Sequence, residues 1–244
     1  MDSGTETGMA APEFEGWTIL FDLDGTLVDT APDLLGALNH VLGHLGLAPV
    51  PLSEVAEMIG HGARAMIEKG VSTRGAVLTA TEMDAAFERF IAHYVDHIAV
   101  HSRPFDGAVA ALEQLRSLGA KLTVCTNKRQ DLSERLLGAL DLTGHFDLVV
   151  GADRVSQRKP SAAHPLETIA AAGGDPAMSL FVGDSRTDER AARNAGLPFV
   201  FVTFGYEAET VEAIAADVAI SHYDQLVSAL SDLRNQAVAS PRGR

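Results

Sequence analysis

From Arg103 onward the chain alternates short apolar runs with helix-patterned stretches, and this alternation restricts its fold more than any other feature. KLTVCT (121–126), FDLVVG (146–151), SLFVGD (179–184), PFVFVT (198–203) and DVAI (217–220) are short, bounded by turn residues, and read as strands. They are near-continuously apolar rather than alternating, as strands covered on both faces are. Helical patterns fill the gaps at residues 107–118, 131–140, 163–172, 187–195 and 223–233. Strands and helices in alternation, joined by right-handed crossovers, imply an α/β fold with a doubly wound parallel sheet, a Rossmann-like core.

One similar run, WTILFDLD (17–24), stands alone near the N-terminus. The stretch between it and the alternating half carries helical patterns, clearest over 33–45 and 81–98, and no strand. The economical organisation is a flexible leader over 1–16, a core from 17–30 and 103–234, a small helical cap at 31–102 inserted after the first strand, and a flexible tail over 235–244.

Charge narrows the function. A net charge of −14 argues against nucleic acid and anionic membrane surfaces, both of which call for clustered Lys and Arg. No apolar stretch is long enough to span a bilayer, and the first sixteen residues lack the basic and apolar regions of a secretory signal. The single cysteine, Cys125, cannot close an intramolecular disulfide, which suits a cytoplasmic setting.

The strongest local signal is FDLDGTLVDT (21–30). Side chains alternate along a strand, so Asp22 and Asp24 project to the same side at its carboxyl end, and Gly25 permits a sharp turn after them. Ligands of open α/β sheets bind at such strand ends. Turn formation alone would also account for DLDG. Other strand ends and loops add complementary groups. Thr126, Asn127 and Lys128 follow one strand, with donors suited to phosphoryl oxygens, although Thr-Asn also caps helices. Lys159 precedes Pro160 in a loop. Asp184 ends another strand, and Asp188 opens the next helix, where it also suits the helix dipole. Two carboxylates, Asp22 and Asp184, are the number Mg2+ needs beside waters and substrate phosphate.

In order and spacing, DLDGT (22–26), Thr126, Lys159-Pro160 and GDSRTD (183–188) resemble the four motifs of the haloacid dehalogenase-like phosphatases, over about residues 17–233. The resemblance implies Asp22 as nucleophile, Asp24 as general acid and base, Thr126 and Asn127 as phosphoryl ligands, and Lys159 as charge neutraliser. It implies Mg2+ on Asp22, the Asp24 carbonyl and Asp184, with Asp188 in support. The insert then looks like a cap over the active site. Its MIGHGARAMIEKG segment (58–70), with TNK (126–128) and TFGY (203–206), resembles the phosphoglycolate phosphatase branch. Gly62, Arg64 and Lys128 are accordingly candidate contacts for a small anionic phosphate ester.

One departure is KPSAAHP (159–165), where His164 and Pro165 are displaced from the usual Lys-Pro-His-Pro-like run, which bears on loop shape. A sugar-phosphate mutase, a phosphatase of nucleoside monophosphates or sugar phosphates, and a non-enzymatic binding member of the fold are the alternatives. The assembly expected is a monomer or homodimer. His93 and His97 stand four apart, but no third ligand is spaced near them, so the insert's histidines read as surface or packing residues.

Overall fold

The computed structural model describes residues 12–55, 58–60, 62–206 and 211–239. In chain order the strands are β1 (Thr18–Phe21), β2 (Val28–Asp29), β3 (Arg103–Pro104), β4 (Lys121–Thr126), β5 (Leu148–Gly151), β6 (Ser179–Gly183), β7 (Phe199–Val202) and β8 (Val218–Ile220). Six of them form one parallel sheet in the order β5-β4-β1-β6-β7-β8. In β1, Thr18 lies opposite both Lys121 and Ser179, and Phe21 opposite both Val124 and Val182. The chain leaves β1 toward β4 and β5, then returns to β1's other side with β6. This reversal is the topological switch point at which doubly wound sheets bind their ligands.

The core helices are α5 (Ala108–Ser117), α6 (Gln130–Ala139), α7 (Ala163–Ala171), α8 (Arg186–Ala195) and α9 (Leu226–Ala239) in the whole-chain numbering used below, where α1 to α4 belong to the cap. Successive β1 residues serve opposite faces: Ile19 and Phe21 join the larger apolar cluster with Leu112 and Leu230, whereas Leu20 packs with Ile169, Phe181 and Ala191. Double-sided burial explains the near-continuous apolar runs. Except for β4, which spans its whole run, the observed strands are shorter than the sequence runs because flanking residues, Asp and Pro among them, belong to the turns.

The cap comprises α1 (Ala31–His44), α2 (Leu52–Val55), α3 (Ala63–Ser72) and α4 (Ala80–Asp96). Leu38 and Leu42 of α1, Met66 and Ile67 of α3, and Phe90 and Tyr94 of α4 are buried among one another. A capping box starts α4: the Thr79 hydroxyl accepts from the Glu82 amide while the Glu82 carboxylate accepts from the Thr79 amide. The two linkers into and out of the cap pair as the antiparallel ribbon β2–β3, with Val28 opposite Pro104 and Asp29 opposite Arg103. Buried Asp33, at the start of α1, accepts from the amides of His101 and Ser102 and from the Ser102 hydroxyl, tying entry to exit.

Two boundary expectations need correction. Phe14, assigned to the leader, is fully buried, and its amide donates to the Leu118 carbonyl at 2.8 Å; an aromatic ring with access to the core docks there. The tail expected from 235 onward is helical to Ala239, because α9 continues and Ala237 still packs on the core. Among the described residues, no helix is long and apolar enough to cross a membrane.

Candidate active site

Three carboxylates converge at the switch point. One oxygen each from Asp22, Asp184 and Asp188 lies within 4.8 Å of the other two, and all three residues are buried. Asp22 follows β1, Asp184 follows β6, and Asp188 sits in the first turn of α8. There Asp188 closes a capping box with Ser185, whose hydroxyl donates to Asp188 Oδ2 at 2.6 Å. Lys159 Nζ stands between two of the acids, 2.9 Å from Asp22 Oδ1 and 2.7 Å from Asp188 Oδ1. The contact to Asp22 is a charge contact without hydrogen-bond alignment, so Asp22 Oδ1 is buried and unsatisfied.

Electrostatics follow from this crowding. Burial pushes the Asp22 carboxyl up to about 6, with Lys159 opposing and Asp188 adding to the rise. Burial, then Asp188 and Asp22, hold Asp184 well above the usual carboxylate range. Burial works against the Lys159 charge, but Asp188 and Asp22 outweigh it and hold the ammonium above its ordinary range. Like charges this close, with an orphaned oxygen among them, are a donor set suited to a hard divalent cation.

The surroundings leave no room for larger groups. Thr26 Oγ1 donates to Asp184 Oδ1 at 2.8 Å, and the Tyr206 amide donates to Asp184 Oδ2 at 2.8 Å. A Cβ on Gly205 or Gly25 would collide with the Asp184 carboxylate, and Gly25 also turns at φ +84°.

A cavity of about 560 Å³ opens in front of Asp22 and Asp24. Its core wall holds Thr126, Asn127 and Lys128, and its cap wall includes Gly62, Arg64, Phe87 and Tyr94. Lys159, Asp184 and Asp188 are absent from that lining and stand behind Asp22. Asp24 turns away from the acidic triad: Lys128 Nζ binds it at 2.8 Å, and the Thr30 hydroxyl donates to it at 2.7 Å. Burial disfavours the Lys128 charge, yet Asp24 and Tyr94 more than offset this and hold it above the ordinary lysine range. Thr126 is buried, with its hydroxyl accepting from the Lys128 amide. Asn127 Nδ2 donates to the Lys159 carbonyl at 3.1 Å and reaches the Gly60 carbonyl of the cap at 3.4 Å, while its Oδ1 is buried and unpartnered.

Of the cap candidates, Gly62 precedes α3 at φ +88° on the cavity wall. Arg64 reaches the wall too, but its guanidinium is about half exposed, pairs with Asp84 at 2.6 Å and lies over the Phe87 ring. His61 lies outside the described residues. The displaced His164 starts α7 fully buried, 3.2 Å from the Val150 carbonyl.

Residue patterns did not reveal two contributors. Tyr94 reads as ordinary helix core beside Phe90, yet its hydroxyl is buried without a partner at the cavity, and its ring lies under Lys128 Nζ at 4.7 Å. Tyr206 was visible only as part of TFGY. Its hydroxyl accepts from the amides of Thr30 and Ala31 and donates to Asp29 Oδ1, joining the Asp184 loop to the cap linker.

A doubly wound sheet with four acidic and basic groups gathered at its switch point, under a helical insert, defines the class, and the chain belongs to the haloacid dehalogenase-like hydrolase family, which it matches over residues 19–202. Within that family it is 48% identical over 211 residues to a phosphoglycolate phosphatase of Caulobacter vibrioides (strain ATCC 19089 / CIP 103742 / CB 15), covering 86% of this chain and 89% of that one. A phosphoglycolate phosphatase of Agrobacterium fabrum (strain C58 / ATCC 33970) is 44% identical over 86% of this chain and 91% of its own. The crystal structure of a predicted phosphoglycolate phosphatase from Haemophilus somnus 129pt superposes with a TM-score of 0.84 at 28% identity, covering 91% of this chain and all of that one.

Proposed function

We propose that this chain is a Mg2+-dependent phosphate monoester hydrolase acting on 2-phosphoglycolate, or a similar small anionic ester, through an aspartyl phosphate on Asp22. One observation carries the reading: Asp22 faces an open cavity on one side and Asp184, Asp188 and Lys159 on the other.

In the first half-reaction an Asp22 carboxylate oxygen attacks phosphorus, and the bond from phosphorus to the ester oxygen breaks. Asp24 gives its proton to that leaving oxygen. In the second, water attacks the aspartyl phosphate, Asp24 takes the water's proton, and Asp22 is released with inorganic phosphate. Thr126 and Asn127, at the core wall of the cavity, hold the phosphoryl oxygens. Lys159 neutralises charge building on Asp22. Asp22, Asp184 and the Asp24 carbonyl would hold Mg2+, with Asp188 in support, and the ion would supply the positive charge that lets an anionic nucleophile meet an anionic phosphate. Lys128 and the Gly62–Arg64 side of the cap would receive the substrate's second anionic group. The setting that goes with this reading is cytoplasmic, with a monomer or homodimer and no nucleic-acid or membrane partner.

Phosphate release from a panel of small esters, with Mg2+ and with EDTA, tests it. A clear preference for 2-phosphoglycolate, abolished by EDTA, is expected. Release spread evenly over other esters would keep the chemistry and discard the substrate; no release at all would discard both. Asp22→Asn loses the nucleophile and should lower turnover by at least about 10²–10³-fold, the cost of removing one strong charge-handling group.

A further inference from the structure

Among the described residues that line the substrate cavity, three carry a buried side-chain oxygen with no hydrogen-bond partner: Asp22, Asn127 and Tyr94. Asp22 Oδ1 and Asn127 Oδ1 are acceptors and offer an anion nothing to bind. The Tyr94 hydroxyl is the one of the three that donates.

Buried tyrosine hydroxyls ordinarily find a partner, because stranding one forfeits its bonds to water. Tyr94 is 1% exposed, and α4 fixes its ring: Ala86, Phe90 and Tyr94 form the buried stripe of that helix, with the Phe90 and Tyr94 centroids 6.2 Å apart. Apolar packing accounts for the ring. It does not account for the hydroxyl, since a phenylalanine, as at position 90, would pack there without that cost.

A cation stands on the same ring. Lys128 Nζ lies 4.7 Å from the Tyr94 centroid and donates to both oxygens of Asp24, at 2.8 and 3.1 Å. An ammonium has three protons, so one is left for a second anion. Two other cations of the cavity wall are engaged with carboxylates, Arg64 with Asp84 and Arg129 with Asp131. Burial pushes the Tyr94 phenol up to about 12, against the pull of Lys128, so the hydroxyl keeps its proton through the neutral range. Lys128 stands on Asp24, two residues from Asp22, so the span from the nucleophile to this pair of donors is short.

We propose, on the reading that the substrate is a small phosphate ester with a second anionic group, that the Tyr94 hydroxyl is a specificity-determining ligand of that group. It donates to one carboxylate oxygen while Lys128 donates to the other, so a cap residue and a core residue together recognise the end of the substrate remote from phosphorus. An ester without the carboxylate leaves the buried hydroxyl stranded and the third ammonium proton unpaired, and is disfavoured for that reason.

Steady-state kinetics on 2-phosphoglycolate and on ethyl phosphate, in which a methyl replaces the carboxylate, test this in the natural chain and in Tyr94→Phe. The variant keeps the ring under Lys128 and removes only the oxygen. It should raise KM for 2-phosphoglycolate about tenfold or more, with kcat changed far less. The preference for 2-phosphoglycolate over ethyl phosphate should narrow by a like factor. Because the hydroxyl is unpaired without substrate, Tyr94→Phe should melt no lower than the natural chain. A preference that survives intact in Tyr94→Phe, or an equal loss on both esters, would overturn the proposal and leave the substrate reading standing. A variant that melts well below the natural chain would overturn it too, by showing the hydroxyl bonded within the empty fold. If the natural chain itself shows no preference for 2-phosphoglycolate, the substrate reading falls and the role of Tyr94 falls with it.

Discussion

Single atoms carry much of the coupling in this molecule. The Tyr206 hydroxyl uses both lone pairs and its proton, on two amides of the cap linker and on Asp29, while the amide of the same residue holds Asp184. Tyr206→Phe removes that oxygen and leaves several partly buried groups unpaired. It should cost about 1–3 kcal/mol, lowering the melting temperature by about 2–4 °C per kcal/mol, as calorimetry would read. His164 makes a different kind of point. Burial, with Lys159 adding to it, pushes its pKa down to about 4, so the folded protein keeps the ring neutral where the unfolded chain protonates it. The unfolded state therefore binds more protons between about pH 6.5 and 4, and stability falls as pH falls through that window. The loss from this group should reach about 2 kcal/mol by pH 5. Urea melts at pH 7.5 and 5 should show a smaller difference in His164→Gln, which keeps a donor for the Val150 carbonyl. Neither residue's role was readable beforehand. Asp22, Asp184 and Lys159 did stand out as a candidate cluster, and the fold brings them together, because the ends of buried strands and the loops beside them are where polar groups stand out from an apolar background. A tyrosine in a loop or a histidine near a helix start stands out from nothing.

Among the elements, legibility followed length and burial. β4 coincides with its apolar run, and β6 and β7 lie within one residue of theirs at each end, because double-sided burial marks every position. The two-residue strands β2 and β3 could not be read at all, since two residues have no period. Yet this ribbon brings the ends of the cap together. Asp33 shares the task, and in the sequence it is merely an acid in the first turn of α1. In the fold it is 4% exposed and accepts from three donors of the returning chain, two amides and a hydroxyl. Asp33→Ala would leave the buried Ser102 amide and hydroxyl unsatisfied, at a cost of about 1–3 kcal/mol for each group so stranded. The expected outcome is a lower denaturation midpoint, with faster hydrogen exchange at the amides of residues 101 and 102 before the sheet amides exchange.

At the scale of the whole molecule, stability and the acidic site pull against each other. A chain of net charge −14 gathers Asp22, Asp184 and Asp188 into one buried spot and sets Lys159 between two of them. Asp184, held well above the usual carboxylate range by burial and by its two acidic neighbours, binds its proton more tightly folded than unfolded. Without metal, then, the folded state binds more protons, and stability declines as pH rises from about 4 through the raised pKa of Asp184. A cation that binds only the folded form reverses the trend by mass action. Mg2+ should therefore raise the melting temperature by several degrees at pH 7.5 and by clearly less at pH 5, where protons compete for the same oxygens. Asp184→Asn separates the two effects. It relieves the repulsion, so the metal-free variant should melt no lower than the metal-free natural chain at pH 7.5, and it should gain little from Mg2+. If Mg2+ stabilised the natural chain and Asp184→Asn equally, the cation would be acting away from the triad, and the link drawn here between buried repulsion and metal binding would fail.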